Sequence, residues 1–394
     1  MVRGLGPLVL TVLLVACGGA GQGAQERSEA PDRPKWSATA IEREIDLDAV
    51  PPVDTSNASV PLQEVVFDTF DGSFVRLSNA SEARIRALRD AIEPIYNPGY
   101  GSRGALPWLA GSDLVLGYIS ESGVPYAYPL KILNFRELVN DEIDGVPILV
   151  SYCPLCASGV AYSREVEGRT LLFGNTSALY QSDLVMFDHE TGSYWFQVRG
   201  AAIVGELTGA RLGVLPSMTL PWGDWKRLHP DTRLLASDGG QSFDERFAQN
   251  PFASYPQAID EERFAFPVSK DQLDGRLPAS EVVVTVEAGN AIKAYPARVI
   301  GDAAVNDEVG GEPVVVFSRA AGFATAFRPL SSGRRLTFSF VEGTFRDTET
   351  GSTWDEAGQA VAGALEGAVL EPLPTRRAFW FSIASSTPGL ELHR

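Results

Sequence analysis

Short apolar runs bounded by turn residues recur along this chain from Val65 onward. Val65–Phe70 and Phe74–Leu77 flank Asp71-Gly72 and predict a β-hairpin with a D-G turn. Ser81–Ile92 reads as a short helix: Ser81 can cap it, and Ile85, Leu88 and Ile92 share a face. Asp113–Ile119 predicts a strand, and Pro129, a favourable first helical residue, opens a second short helix. Val146–Tyr152 is nearly continuous in apolar residues and predicts a buried strand. A hairpin follows, Gly159–Arg164 and Arg169–Gly174, turning at Glu167-Gly168. Leu184–Phe187 and Tyr194–Gln197 add strands. Thr219 is placed to cap a helix reaching about Leu228 and stopped by Pro230. Strands outnumber helices, so the expected class is α+β, dominated by antiparallel β-sheet.

The pattern then repeats. Ala127-Tyr128-Pro129 returns as Ala294-Tyr295-Pro296, and Val139-Asn140-Asp141-Glu142 as Val305-Asn306-Asp307-Glu308. Gly145-Val146-Pro147-Ile148-Leu149-Val150 returns as Gly311-Glu312-Pro313-Val314-Val315-Val316. Glu190-Thr191-Gly192-Ser193-Tyr194-Trp195 returns as Glu349-Thr350-Gly351-Ser352-Thr353-Trp354. Leu215-Pro216 and Trp222 return as Leu373-Pro374 and Trp380. The order is kept and the spacing drifts little, which predicts a tandem duplication of one strand-rich unit with short helices. The expected organisation is a hairpin and helix over 61–92 and a first repeat over 93–240. A connector over 241–262 leads to a second, degenerate repeat over 263–394.

The start of the chain has a different pattern. Arg3 precedes an apolar run, Leu8 to Val15, too short to span a bilayer. It ends in Leu14-Val15-Ala16-Cys17-Gly18, which resembles a bacterial lipoprotein signal. That resemblance implies cleavage of residues 1–16 and lipidation of Cys17. Residues 17–60, rich in Gly, Ala, Ser, Pro and charge, read as a flexible tether. Acyl chains contribute about 0.8 kcal/mol per buried CH₂, so a multiply acylated Cys17 would anchor the protein to a lipid bilayer in the bacterial cell envelope, on the extracytoplasmic side. The remainder carries no other membrane-length apolar stretch. With 50 acidic against 33 basic residues and no basic run, the chain is a poor match for nucleic acid or anionic lipid surfaces.

Candidate chemistry concentrates at Cys153-Pro154-Leu155-Cys156, at the end of the buried strand. Besides Cys17 these are the only cysteines, and export places them where disulfides persist. The spacing permits a reversible disulfide, two ligands to a soft metal, or an inert staple. A staple over so small a loop gains little chain entropy. The following residues lead into a strand rather than a helix, which argues against a thioredoxin fold. The second copy has Ser318-Arg319-Ala320-Ala321-Gly322 at this place, so the sulfurs belong to one copy only. Tyr152, Arg136, Asp188, Gln197 and His229 are candidates to line the site. A metal reading draws on Cys153, Cys156, Met186 and His229, with copper as the soft ion considered. Asp188 and Trp195, matched by Asp347 and Trp354, fit an aspartate ordering a turn and a packed indole. No G-x-S-x-G and no H-E-x-x-H appears.

Ala127-Tyr128-Pro129-Leu130, Val139-Asn140-Asp141 and Tyr152-Cys153-Pro154-Leu155-Cys156 together resemble domain-of-unknown-function family 3179. So do Ser182-Asp183-Leu184-Val185-Met186-Phe187-Asp188, and Trp222-Gly223-Asp224-Trp225 with His229-Pro230. The resemblance covers residues 91–240 well and implies no established activity. Some members are reported as selenoproteins at this motif, which by resemblance favours redox chemistry over a staple. The family often has Asn-Trp-His-Glu where this chain has Asn134-Phe135-Arg136-Glu137, so any role of that histidine is absent here. The leading expectation is a membrane-anchored lipoprotein with a thiol–disulfide site, Cys153 attacking a disulfide or oxidant and Cys156 resolving the adduct. A protein thiol or disulfide would be its partner. A copper-binding protein and a noncatalytic envelope scaffold are the alternatives.

Overall fold

The computed structural model of this protein describes residues 45–289 and 291–393. The apolar runs form strands whose alternate faces close over several cores. Val65–Asp68 pairs antiparallel with Phe74–Arg76 across the D-G turn and, on its other edge, with Phe173–Tyr180. The helix that follows is shorter than its apolar spacing suggests. It spans Glu82–Leu88, with Ser81 Oγ accepting from the Arg84 N–H. It stops at Arg89, whose buried guanidinium donates to the carbonyls of Val50 and Pro51. Those contacts pin part of the expected tether, and Val50 and Val53 are buried. The signal segment and Cys17 lie outside the described residues.

Two stretches share one plan. In the first, Leu114–Ile119 pairs with Pro125–Pro129 and Met218–Pro221, and Arg233–Asp238 joins Pro125–Pro129 in parallel. In the second, Val282–Ala288 pairs with Ala291–Tyr295 and Thr375–Phe379, and Glu391–Leu392 joins Ala291–Tyr295 in parallel. The meander Leu138–Ile143, Val146–Cys153, Ser158–Ser163 matches Ala303–Val309, Glu312–Arg319, Phe323–Arg328. The hydrogen bonds of the shared Asp and Trp match as well. Asp188 Oδ1 accepts from the Thr191 N–H at 2.6 Å and Asp188 Oδ2 from Trp195 Nε1 at 2.8 Å. Asp347 does the same with Thr350 at 2.6 Å and Trp354 at 2.9 Å.

The two stretches meet in one sheet. Thr375–Phe379 pairs with Ser158–Ser163 through Arg377 and Gly159. Thr375 Oγ1 also donates to the Ser217 carbonyl at 2.7 Å. The result is α+β, strand-dominated and mostly antiparallel. Among the described residues no helix is long and apolar enough to cross a membrane.

One local expectation is corrected. Thr219 does not cap a helix but lies in the strand Met218–Pro221, paired with Leu116; the helix starts at Trp222 after Pro221. Cross-strand pairing there satisfies the backbone groups that a cap would otherwise serve.

Candidate thiol site

Val146–Cys153 delivers Cys153 at its last position, opposite Ser158 in the returning strand. The link between them is a tight turn in which the Cys156 N–H donates to the Cys153 carbonyl at 3.2 Å. Ala157 then takes φ 47°, a left-handed value that an alanine adopts only at some cost. Both sulfurs are buried free thiols, so the expected disulfide is not formed in this structure.

A carboxylate joins them. Asp183, fully buried at the start of Asp183–Asp188, lies so that its oxygen and both sulfurs are all within 4.8 Å of one another. Asp183 Oδ2 accepts from Ser382 Oγ at 2.9 Å, while Oδ1 is buried without a hydrogen-bond partner of ordinary geometry. Cys156 Sγ donates to the Ser182 carbonyl at 3.1 Å. Burial pushes the Asp183 pKa up to about 7, against the hydrogen bonds that hold it down. Glu137, at φ 55° in the turn after the helix Leu130–Arg136, is likewise raised by burial to about 7. Its Oε2 accepts from Asn175 Nδ2 at 2.5 Å. Burial raises both thiols too, Cys156 far more than Cys153. The Cys156 thiol lowers the pKa of Cys153, so Cys153 is the easier of the two to ionise.

The expected lining residues divide into those beside the loop and those elsewhere. Tyr152 stays, with its phenol raised to about 12 by burial. Gln197 supports the loop from behind: it accepts from Ser158 Oγ at 2.6 Å and donates to Ser151 Oγ at 2.9 Å. Met186 is buried in the same core as the sulfurs. Asp188 is occupied by its turn and by Trp195. Arg136 turns outward to Glu93, 2.5 Å away. His229 packs on Trp225 with ring centroids 4.3 Å apart, in a different core from the sulfurs, and burial lowers its pKa to about 4. Of the expected ligands, the two cysteine sulfurs stand together with Asp183 beside them, whereas His229 lies in another core.

Sequence reading missed Asp183, Glu137 and the second stretch's contribution. Ser382 holds Asp183, the Phe379 N–H donates to the Cys156 carbonyl at 2.7 Å, and Phe381 packs in the sulfur core. Ile259 and Tyr255, from the expected connector, cover the same core. Asp183 stood beside Leu184-Val185-Met186-Phe187 in the sequence; a charged residue opening so apolar a strand was the available signal.

The model of one protein family matches residues 89–389. The chain belongs to the DUF3179 family, described as proteins of unknown function. The matched residues include Cys153, Cys156, Asp183, Arg377 and Ser382. No curated protein and no solved structure matches the chain.

Proposed function

We propose that this DUF3179 protein is an exported, lipid-anchored thiol–disulfide protein with its reactive pair at Cys153 and Cys156. The observation carrying the reading is a free cysteine pair buried within 4.8 Å of a carboxylate whose pKa is about 7. A group titrating near neutral pH can accept a thiol proton and return it. Cys153, the more readily ionised sulfur, attacks a substrate disulfide after losing its proton to Asp183. One substrate sulfur leaves as a thiolate and takes that proton. Cys156 then attacks Cys153 Sγ, the second substrate thiolate leaves with the Cys156 proton, and Cys153–Cys156 closes. The protein loses two electrons and the substrate disulfide gains them. Burial of both sulfurs favours a small reactant; a protein disulfide requires the loop to open. The lipidated Cys17 is proposed from its sequence signal, and the matched elements support a tandem duplication.

Redox titration read by mass-tagging of thiols tests this. Reversible opening of a Cys153–Cys156 disulfide at a physiological potential supports it. A bridge that never forms, or that resists reduction until the protein unfolds, overturns it.

Metal binding is the second reading, favoured by the same three clustered donors. Two thiolates and a carboxylate suit Zn²⁺ better than Cu(I), because the carboxylate is a hard ligand. Elemental analysis of chelator-free protein, followed by zinc and copper uptake by Cys153→Ser and Asp183→Asn variants, separates it from the redox reading.

A further inference from the structure

A cleft of about 400 Å³ opens beside the cysteine loop, walled by Tyr152, Pro154 and Ala157 on one side and by Arg298 and Arg377 on another. It lies where the two stretches of the chain meet. The charges in it are unusual for a chain of net charge −17: Lys131, Arg298 and Arg377 line it against one carboxylate, Asp113.

These charges come from matched positions. Lys131 and Arg298 each stand second after a Tyr-Pro pair. Asp113 and Glu281 are also equivalent: the Trp222 N–H donates to the Asp113 carbonyl and the Trp380 N–H to that of Glu281, both at 2.7 Å. The two pairs behave differently. Lys131 closes on Asp113 at 2.9 Å. Arg298 makes no ion pair within 4 Å among the described residues, although Glu281 is near enough to be stabilised by its charge. Glu281 Oε1 is buried without a hydrogen-bond partner.

Arg377 is the second unpaired cation. Its Nη1 donates to the Ala157 carbonyl at 2.9 Å, directly at the end of the cysteine loop. Among the described residues its guanidinium makes no ion pair. Burial lowers its pKa, and the like charge of Arg298 lowers it further. Two guanidiniums without ion-pair partners among the described residues line one cleft, and the planar, always-charged guanidinium suits an oxyanion there. Their first-stretch counterparts are a paired lysine and Thr219, so the two unpaired arginines belong to the second stretch only.

We propose that this cleft binds the oxyanion end, carboxylate or phosphate, of a small thiol or disulfide substrate, and that Arg298 and Arg377 hold that end. The identity of the reactive end rests on the thiol–disulfide reading above; the anion site itself does not. Tyr152 and Pro154, which flank Cys153 in sequence, give the cleft a wall shared with the reactive loop.

Calorimetric titration of the full chain tests this with dithiodiglycolate, adipate, inorganic phosphate and the neutral hydroxyethyl disulfide. The variants are Arg298→Gln, Arg377→Gln, Arg377→Lys and the Cys153→Ser/Cys156→Ser pair. The dicarboxylates should bind and hydroxyethyl disulfide should not. Arg298→Gln and Arg377→Gln should each weaken binding on the order of tenfold, the scale of a lost hydrogen bond to a charged group. Arg377→Lys should recover part of it, and the cysteine variant should bind as the native protein does. Phosphate binding with the same arginine dependence also supports the site and makes its ligand a phosphoryl compound. Absence of anion binding, or binding that neither Arg298→Gln nor Arg377→Gln weakens, overturns the proposal. Arginine-dependent binding of dithiodiglycolate with no disulfide formed at Cys153 and Cys156 leaves the anion site standing and removes the thiol reading.

Discussion

The Cys156 thiol donates to the Ser182 carbonyl at 3.1 Å, and Ser182 precedes Asp183. One contact thus ties the turn after Val146–Cys153 to the start of Asp183–Asp188, strands that belong to different sheets. It places a carboxylate beside two sulfurs that local sequence does not bring near it. With the thiol as donor, the same contact favours the protonated form of Cys156.

Slow thiol labelling is the first consequence. Buried thiols with raised pKa values react poorly, because the thiolate is the reactive species. In the reduced native protein, alkylation near neutral pH should run on the order of a hundredfold or more slower than for an unfolded control. Cys153 should label before Cys156. Mass spectrometry of time-quenched samples reads both; labelling at the unfolded rate would show that the sulfurs are not enclosed as described.

Stability should depend on pH through Asp183. Its folded pKa, about 7, stands above the ordinary carboxylate value of 3.8, so the folded protein holds this proton more tightly than the unfolded chain does. The stabilising effect is complete below about pH 4 and is lost as pH rises towards 7. Glu137, also near 7, and Asp90, near 6, act in the same direction. Asp183→Asn removes one of these three contributions. Each pKa unit corresponds to about 1.4 kcal/mol. Urea unfolding at about pH 5 and about pH 8 should therefore show a smaller loss of stability in the variant, by roughly 2–4 kcal/mol. An unchanged pH dependence would mean that Asp183 is not a buried titrating group.

Much of this arrangement was legible in the chain, and what was not has a physical cause. The Asp71-Gly72 hairpin, the strand ending at Cys153 and the helix after Pro129 are local features whose turn residues and apolar spacing announce them. The shared Asp and Trp were legible because the sequence carries them twice. Thr219 misled because a threonine before an amphipathic run fits a cap as well as a strand, and pairing with Leu116 decided the matter. Ser382 and Arg377 reach the cysteine loop through the pairing of Thr375–Phe379 with Ser158–Ser163, and Asp183 through the contact of its own sheet with that loop, long-range relations that no local pattern encodes. His229 looked like a ligand because histidine is scarce here; in the structure it is a helix-end ring packed at a 52° tilt against Trp225.

The repeated aspartates should prove structural. Asp188→Ala and Asp347→Ala each strip an acceptor from a buried indole N–H and from a backbone N–H. Leaving buried donors unsatisfied costs about 1–3 kcal/mol per group. Denaturant titration should find both variants destabilised, Asp188→Ala the more, since Asp188 is the more deeply enclosed. The Cys153–Cys156 potential should stay unchanged in Asp347→Ala. A shift in that potential would give the second copy of the motif a role beyond holding its own turn.

The last expectation concerns the dependence of one stretch on the other. The second stretch carries no sulfur, yet it supplies Ser382 to Asp183, the Phe379 N–H to Cys156 and the Arg377 guanidinium to Ala157. It also covers the edge of Ser158–Ser163 and packs Phe379 and Phe381 into the sulfur core. Removing residues 263–394 exposes that edge and those apolar faces, and an uncovered strand edge invites aggregation. Residues 61–240 alone should be insoluble, or should be cleaved quickly by added protease. If they prove soluble and monomeric, with the thermal stability of the whole chain, the joint sheet is dispensable. A subtler result is also readable: Ser382→Ala in the intact chain deletes one donor to Asp183 and leaves the sheet in place. It should raise the Asp183 pKa further, since that hydrogen bond is the first of the groups holding it down. The pH dependence of stability should then extend to higher pH than in the native protein.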